Sequence, residues 1–127
     1  MTELLEKELV FKIVGCAMRV HTALGCGLRE KTYERALCLD FKAQGIPFTQ
    51  QHAHPIFYLG EMIDEFIPDL EADERVIVEA KAIAEITDLE RSQMISYLRV
   101  TGMKVGVIIN FARPSLQWER MVLDAGR

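Results

Sequence analysis

Asp69, Glu79 and Lys81 are the residues of this chain whose types and spacing could do chemistry. They lie in the segment 67–82, IPDLEADERVIVEAKA, where Glu79 and Lys81 close a run of apolar residues. Side chains two apart on a β-strand point to the same face. A strand over Val76–Ile83 therefore sets Glu79 beside Lys81 and turns Ala80 away. Two carboxylates sharing a face repel unless a cation lies between them, and oxygen-only ligation suits Mg²⁺ or Mn²⁺. A neighbouring lysine would orient or help deprotonate an attacking water, or stabilise charge on a phosphate. Such a set suits phosphodiester hydrolysis. The plainer reading of Asp-x9-Glu-x-Lys is an exposed strand whose acid–base pairs serve solubility.

The two readings differ in geometry. Directly paired residues of an antiparallel hairpin share a face, and their numbers have a constant sum. Asp69 opposite Glu79 gives 148, which demands an odd loop such as Asp73 to Arg75. A two-residue turn at Asp73-Glu74 gives 147 and sends Asp69 to the wrong face. The metal-site reading thus predicts a loop of three or five residues, or a bulge.

Other residues offer partners. Glu30 precedes Tyr33 by three and Leu37 by seven, so it falls on the apolar stripe of its helix. A core-facing carboxylate is costly unless paired or metal-bound, which makes Glu30 a third acid; equally, an acid in a first helical turn is favoured by the helix dipole. Gln93 and Tyr97 are four apart on a helix and so are surface neighbours, able to hold a substrate backbone or the site lysine. Arg29, Lys31 and Arg35 surround Glu30 as a local basic patch or as ordinary surface charge.

These residues need elements to position them. Residues 3–24 read as a helix, with Val10, Ile13, Val14, Ala17 and Leu24 on one stripe. His21 lies on the same side, as an edge-of-core histidine bonded to backbone or as a site-edge residue. Gly25-Cys26-Gly27 ends this helix. A second helix spans Leu28–Gln44 with Tyr33, Leu37 and Phe41 buried, and Gly45-Ile46-Pro47 breaks it. Strands follow at Phe48–Tyr58, bulged near Pro55, at Met62–Leu70, and at Val76–Ile83. Thr87 or Asp88 caps a third helix that reaches Thr101, where Gly102 stops it. Lys104–Phe111 is an apolar strand, parallel to a neighbour because a helix precedes it, and Leu116–Leu123 is the last. The order α-α-β-β-β-α-β-β predicts a mixed central sheet flanked by helices, an α/β or α+β layer fold.

With 127 residues the chain reads as one domain, 1–127, with a single core. A net charge of −4 argues against a strong autonomous grip on nucleic acid, since phosphate neutralisation supplies most non-specific affinity; a local basic patch is still compatible with an enzyme. No apolar run approaches the ~20 residues of a membrane span, and three acids before residue 9 do not make a signal peptide. Three cysteines without a C-x-x-C pair suit reduced thiols and a cytoplasmic location. Cys16, His21 and Cys26 match no standard zinc spacing.

Taken in order, these segments resemble a known family. Gly27 to Tyr33, GLREKTY, reads G-x-x-E-x-x-Y. HTALGCG at 21–27, this segment, Asp69, the Val-Glu-Ala-Lys segment, QMISYL at 93–98 and GVIINF at 106–111 occur in the expected order. The chain is similar to the GxxExxY proteins of the PD-(D/E)xK nuclease superfamily, over nearly its whole length. The resemblance implies a restriction-endonuclease-like core, α-β-β-β-α-β. It implies Asp69 and Glu79 as metal ligands, Lys81 as the catalytic lysine and Glu30 as the helix-borne acid. Gln93 and Tyr97 match the Q-x-x-x-Y motif of the lambda-exonuclease-like branch. The chain departs from the family pattern around Asp69, where Ile67-Pro68 precedes it and Glu71, Asp73 and Glu74 follow.

The expectation is a Mg²⁺- or Mn²⁺-dependent nuclease acting on DNA or RNA, with Asp69, Glu79 and Glu30 at the metal and Lys81, Glu30, Gln93 and Tyr97 in the catalytic set. The rival is a silent nucleic-acid-binding or protein-interaction module that keeps the fold. A homodimer completing a nucleic-acid channel through the apolar last strands is a third arrangement. No membrane partner is expected.

Overall fold

A computed structural model of the chain describes residues 5–123. Two helices, α1 (Lys7–Leu24) and α2 (Glu30–Ala43), lead into β1 (Phe48–Gln50), β2 (His54–Tyr58), β3 (Glu61–Phe66), β4 (Leu70–Ala72) and β5 (Val76–Lys81). Helix α3 (Asp88–Thr101) and strands β6 (Val105–Asn110) and β7 (Gln117–Val122) complete the order. Residues 3 and 4 of the expected first helix lie outside the described residues.

Five strands form one mixed sheet in the order β1-β4-β5-β6-β7. The β5–β6 pair is parallel and the other pairs are antiparallel. A parallel pair needs a crossover, and α3 supplies it, as the helix between the two strand patterns required. Strand β5 has Val76, Ile77 and Val78 all fully buried, which fits a central strand covered on both faces. On one face Val78 and Ala80 join α1 and α2 in a core that includes Ile13, Ala17, Tyr33, Leu37 and Phe41. On the other, Ile77 and Ile108 pack with Met94 and Leu98 of α3. Among the described residues no helix is long and apolar enough to cross a membrane.

The expected order of helices and strand regions is present, but the first two strand regions are each cut in two. Phe48–Tyr58 breaks at Gln51, whose φ of 58° turns the chain. Strand β1 stays in the main sheet on β4, while β2 leaves to pair with β3 in a separate two-stranded hairpin. Met62–Leu70 breaks at Ile67-Pro68, because proline donates no ladder hydrogen bond. The bulge expected near Pro55 falls between Ile56 and Phe57. Leu24, expected on the buried stripe of α1, is exposed, because it sits in the final turn where the helix overhangs the core.

Helix α3 starts as its residues dictate. The Thr87 hydroxyl accepts from the Leu89 N–H, and the Glu90 carboxylate accepts from the Thr87 N–H at 2.7 Å, a reciprocal capping box. Gly102, at φ 77°, closes the other end by donating to the Leu98 carbonyl. The helix lies so close to β6 that a Cβ on Gly106 would run into the side chain of the buried Met94. Gly106→Val is therefore expected to destabilise the protein by about 1–3 kcal/mol through overpacking. Urea unfolding checks this; an unchanged midpoint would show that α3 is not packed against Gly106.

Candidate functional site

The register of β4 on β5 decides whether the two acids meet. Leu70 faces Val78, Glu71 faces Ile77 and Ala72 faces Val76, each pair summing to 148. The loop is the three residues Asp73 to Arg75, the odd length the metal-site reading required. Asp73 and Glu74 both take left-handed backbone (φ 52° and 57°), which non-glycine residues adopt at some cost. The loop is tied down by the Asp73 N–H on the Pro47 carbonyl at 2.7 Å and the Arg75 N–H on the Ala72 carbonyl at 2.9 Å.

One step beyond this ladder, Asp69 and Glu79 clasp each other. The Asp69 N–H donates to Glu79 Oε2 at 2.9 Å, and the Ala80 N–H donates to Asp69 Oδ2 at 2.9 Å. These bonds fix both carboxyl groups and leave the second oxygen of each for another partner. Ile77 faces α3, so strand alternation puts Glu79 and Lys81 on that face as well. The site lies at the carboxyl end of β5, where the sheet changes from antiparallel to parallel pairing.

Burial makes this pair costly. Glu79 is only 7% exposed, and burial, with the Asp69 charge second, pushes its carboxyl up to about 8. Burial also raises Asp69; the Ala80 N–H and Lys81 oppose the shift, while Glu34 and Glu30 add to it. A divalent cation on the remaining oxygens would offset both burial and repulsion, so the donor set fits a hard, oxygen-seeking ion. A folded-state pKa above the unfolded value of about 4.5 stabilises the fold at low pH and loses that contribution as pH rises through 8. The metal-free protein should therefore lose on the order of a few kcal/mol between about pH 5 and pH 8 relative to Glu79→Gln. Chemical denaturation of both proteins across that range reads the difference; parallel pH profiles would show that Glu79 is not held in this state.

The other expected residues are placed as follows. Lys81 is half-buried at the end of β5, with no carboxylate within 4.0 Å of its ammonium among the described residues. Tyr97 stacks on Phe66 with ring centroids 3.7 Å apart. Burial raises its hydroxyl pKa, with the Glu79 and Asp69 charges adding to the shift. Gln93 is half-buried one turn before it. Arg29, Lys31 and Arg35 are exposed, and His21 Nε2 sits 2.9 Å from the Arg113 carbonyl oxygen, the backbone-bonded edge position. Cys16, Cys26 and Cys38 are free thiols.

Glu30 corrects an expectation: it is exposed rather than core-facing. It is the first residue of α2 and overhangs the sheet, where its Oε2 accepts from the Ala82 N–H at 3.0 Å, just past Lys81. Its oxygens do not join those of Asp69 and Glu79 in a three-ligand cluster within 4.8 Å. Tyr33 sets this overhang. Its hydroxyl donates to the Gly25 carbonyl at 2.6 Å and accepts from the Leu28 N–H, and its ring stacks on Phe111. The G-x-x-E-x-x-Y spacing thus anchors the α1–α2 loop that carries Glu30.

Two buried polar residues near the candidate site are absent from the sequence-based expectation. Glu34, 3% exposed, is the buried acid of α2; Gln50 and Gln51 donate to it at 2.8 Å and Lys31 pairs with it. Its spacing to Leu37 and Phe41 is the signal that had been read only for Glu30. Asn110, fully buried, accepts from the Ile83 N–H and donates to the Ile83 carbonyl and to Gln117. It fastens the segment that follows Lys81. A groove of about 660 Å³ between α1 and β7, lined by Phe11, Val14, Met18 and Trp118, lies on the α1 side, away from this chemistry.

A mixed five-stranded sheet between helices, with Asp69, Glu79 and Lys81 near the end of its central strand, is consistent with a restriction-endonuclease-like fold. The family model of the PD-(D/E)XK nuclease superfamily matches residues 7–121, and the chain belongs to that superfamily. No curated protein and no solved structure matches the chain.

Proposed function

We propose that this chain is a Mg²⁺- or Mn²⁺-dependent nuclease that hydrolyses phosphodiester bonds of DNA or RNA in the cytoplasm. The observation that carries the reading is the clasp of half-buried Asp69 and buried Glu79, two acids aligned on the face that Lys81 shares. Asp69 and Glu79 hold the ion, with Glu30 above them at the sheet end. When bound, the ion supplies charge neutralisation and polarisation at the scissile phosphate. Lys81 orients the attacking water or steadies the phosphate charge. Tyr97, braced by Phe66, and Gln93 position the lysine or the substrate backbone from α3. Asn110 keeps the chain beyond Lys81 in place. The G-x-x-E-x-x-Y and Q-x-x-x-Y spacings support a finer placement, among the GxxExxY proteins of the lambda-exonuclease-like branch.

Single- and double-stranded DNA and RNA, each incubated with Mg²⁺, Mn²⁺ or EDTA, test the reading. Cleavage is expected with metal, to be abolished by EDTA, and to fall at least about 100-fold in Lys81→Ala. Cleavage that survives chelation or the substitution contradicts the mechanism. A folded protein that cleaves none of the four substrates would favour the silent binding module instead.

A further inference from the structure

On the same face, two residues beyond Asp69 on the chain, lies a second cluster. Glu71 is 4% exposed, so its carboxylate is almost fully withdrawn from water. Two imidazoles converge on its Oε2: His54 Nε2 makes a short hydrogen bond, and His52 Nδ1 lies at 3.6 Å. One ligand atom from each of the three residues falls within 4.8 Å of the other two. Tetrahedral ligation at 2.0–2.2 Å puts ligand atoms roughly 3.4 Å apart, so small side-chain rotations would close these groups around one ion. His54 is half-buried and His52 exposed, which leaves an open side for a water or an exogenous ligand.

The ligand chemistry differs from that of the acid pair. Two imidazole nitrogens and one carboxylate oxygen suit borderline transition ions, whereas Asp69 and Glu79 offer oxygen alone. Asp69 and Glu71 are two residues apart along the chain, about 6.6 Å. The three ligands also come from three places: His52 from the linker after β1, His54 from the first residue of the hairpin and Glu71 from the main sheet. His54 pairs with Phe66 in the hairpin, and Phe66 stacks on Tyr97. We propose that His52, His54 and Glu71 form a site for a borderline divalent transition-metal ion, Zn²⁺ by its ligand set, which clamps the base of the β2–β3 hairpin to the central sheet.

Zn²⁺ titration of the chelator-stripped protein, followed by calorimetry and by the visible absorption of Co²⁺ in its place, tests this without reference to nuclease activity. One ion is expected to bind with the spectrum of a nitrogen–oxygen site. Affinity should fall at least about 100-fold in His52→Ala and His54→Ala, a larger loss than removal of an outer-shell partner brings. It should persist in Asp69→Asn/Glu79→Gln. Hydrogen exchange should slow over residues 54–66 when Zn²⁺ is added to the wild-type protein and not to His52→Ala. His52 is exposed, so its replacement is expected to leave the fold intact by circular dichroism. The proposal is overturned if the stripped wild-type protein takes up no Zn²⁺, if folded His52→Ala binds it unchanged, or if binding disappears only with the Asp69 and Glu79 substitutions.

Discussion

Much of this structure is arranged around the cost of setting the buried carboxyl of Glu79 beside the half-buried carboxyl of Asp69. Glu79 accepts from the Asp69 N–H and Asp69 from the Ala80 N–H, so two hydrogen bonds just beyond the β4–β5 ladder hold the acids in place. Neither bond neutralises charge. The raised pKa of both groups, with burial as the first cause, is the electrostatic measure of that deficit. A structural carboxylate in such a place would be expected to have an ion-pair partner. Among the described residues Lys81, on the same strand as Glu79, closes no salt bridge, and in the proposed function a divalent cation would be the partner of the pair.

The surrounding elements follow from that centre. The three-residue loop with its two left-handed residues sets the register; one residue fewer would put Asp69 on the α1–α2 face. The crossover through α3 makes β5 central and stacks Tyr97 on Phe66. The buried amide of Asn110 and the Gln117 side chain secure residues 83–86, through which the chain passes from Lys81 to α3. On the opposite face, Tyr33 braces the α1–α2 loop so that Glu30 reaches the end of β5.

The parts of the fold with a strong local signal were legible in the sequence. Periodicity located the three helices, Thr87 and Gly102 gave the ends of α3, and the apolar run at 76–78 identified the central strand. Parity in the hairpin carried the most information, since it tied a chemical hypothesis to a loop length that the register then matched. What was not legible depended on tertiary context. The left-handed turn at Gln51 leaves little trace in composition, so one strand was read where the chain moves between two sheets. Glu30 and Glu34 share a helical stripe, and only the overhang of α2 past the sheet decides that Glu34 is the buried one. His52, His54 and Glu71 come together only because β2 folds back beside β4, a contact between segments 17 residues apart in the case of His54 and Glu71.

The proposed chemistry depends on the acid pair being a cation site. Anomalous diffraction from crystals grown with Mn²⁺ addresses it most directly. The expected result is an ion within about 2.1 Å of one oxygen from each of Asp69 and Glu79, with water completing its shell. Ordered Mn²⁺ elsewhere in the crystal, with Asp69 and Glu79 still clasped and no density between their free oxygens, would contradict it.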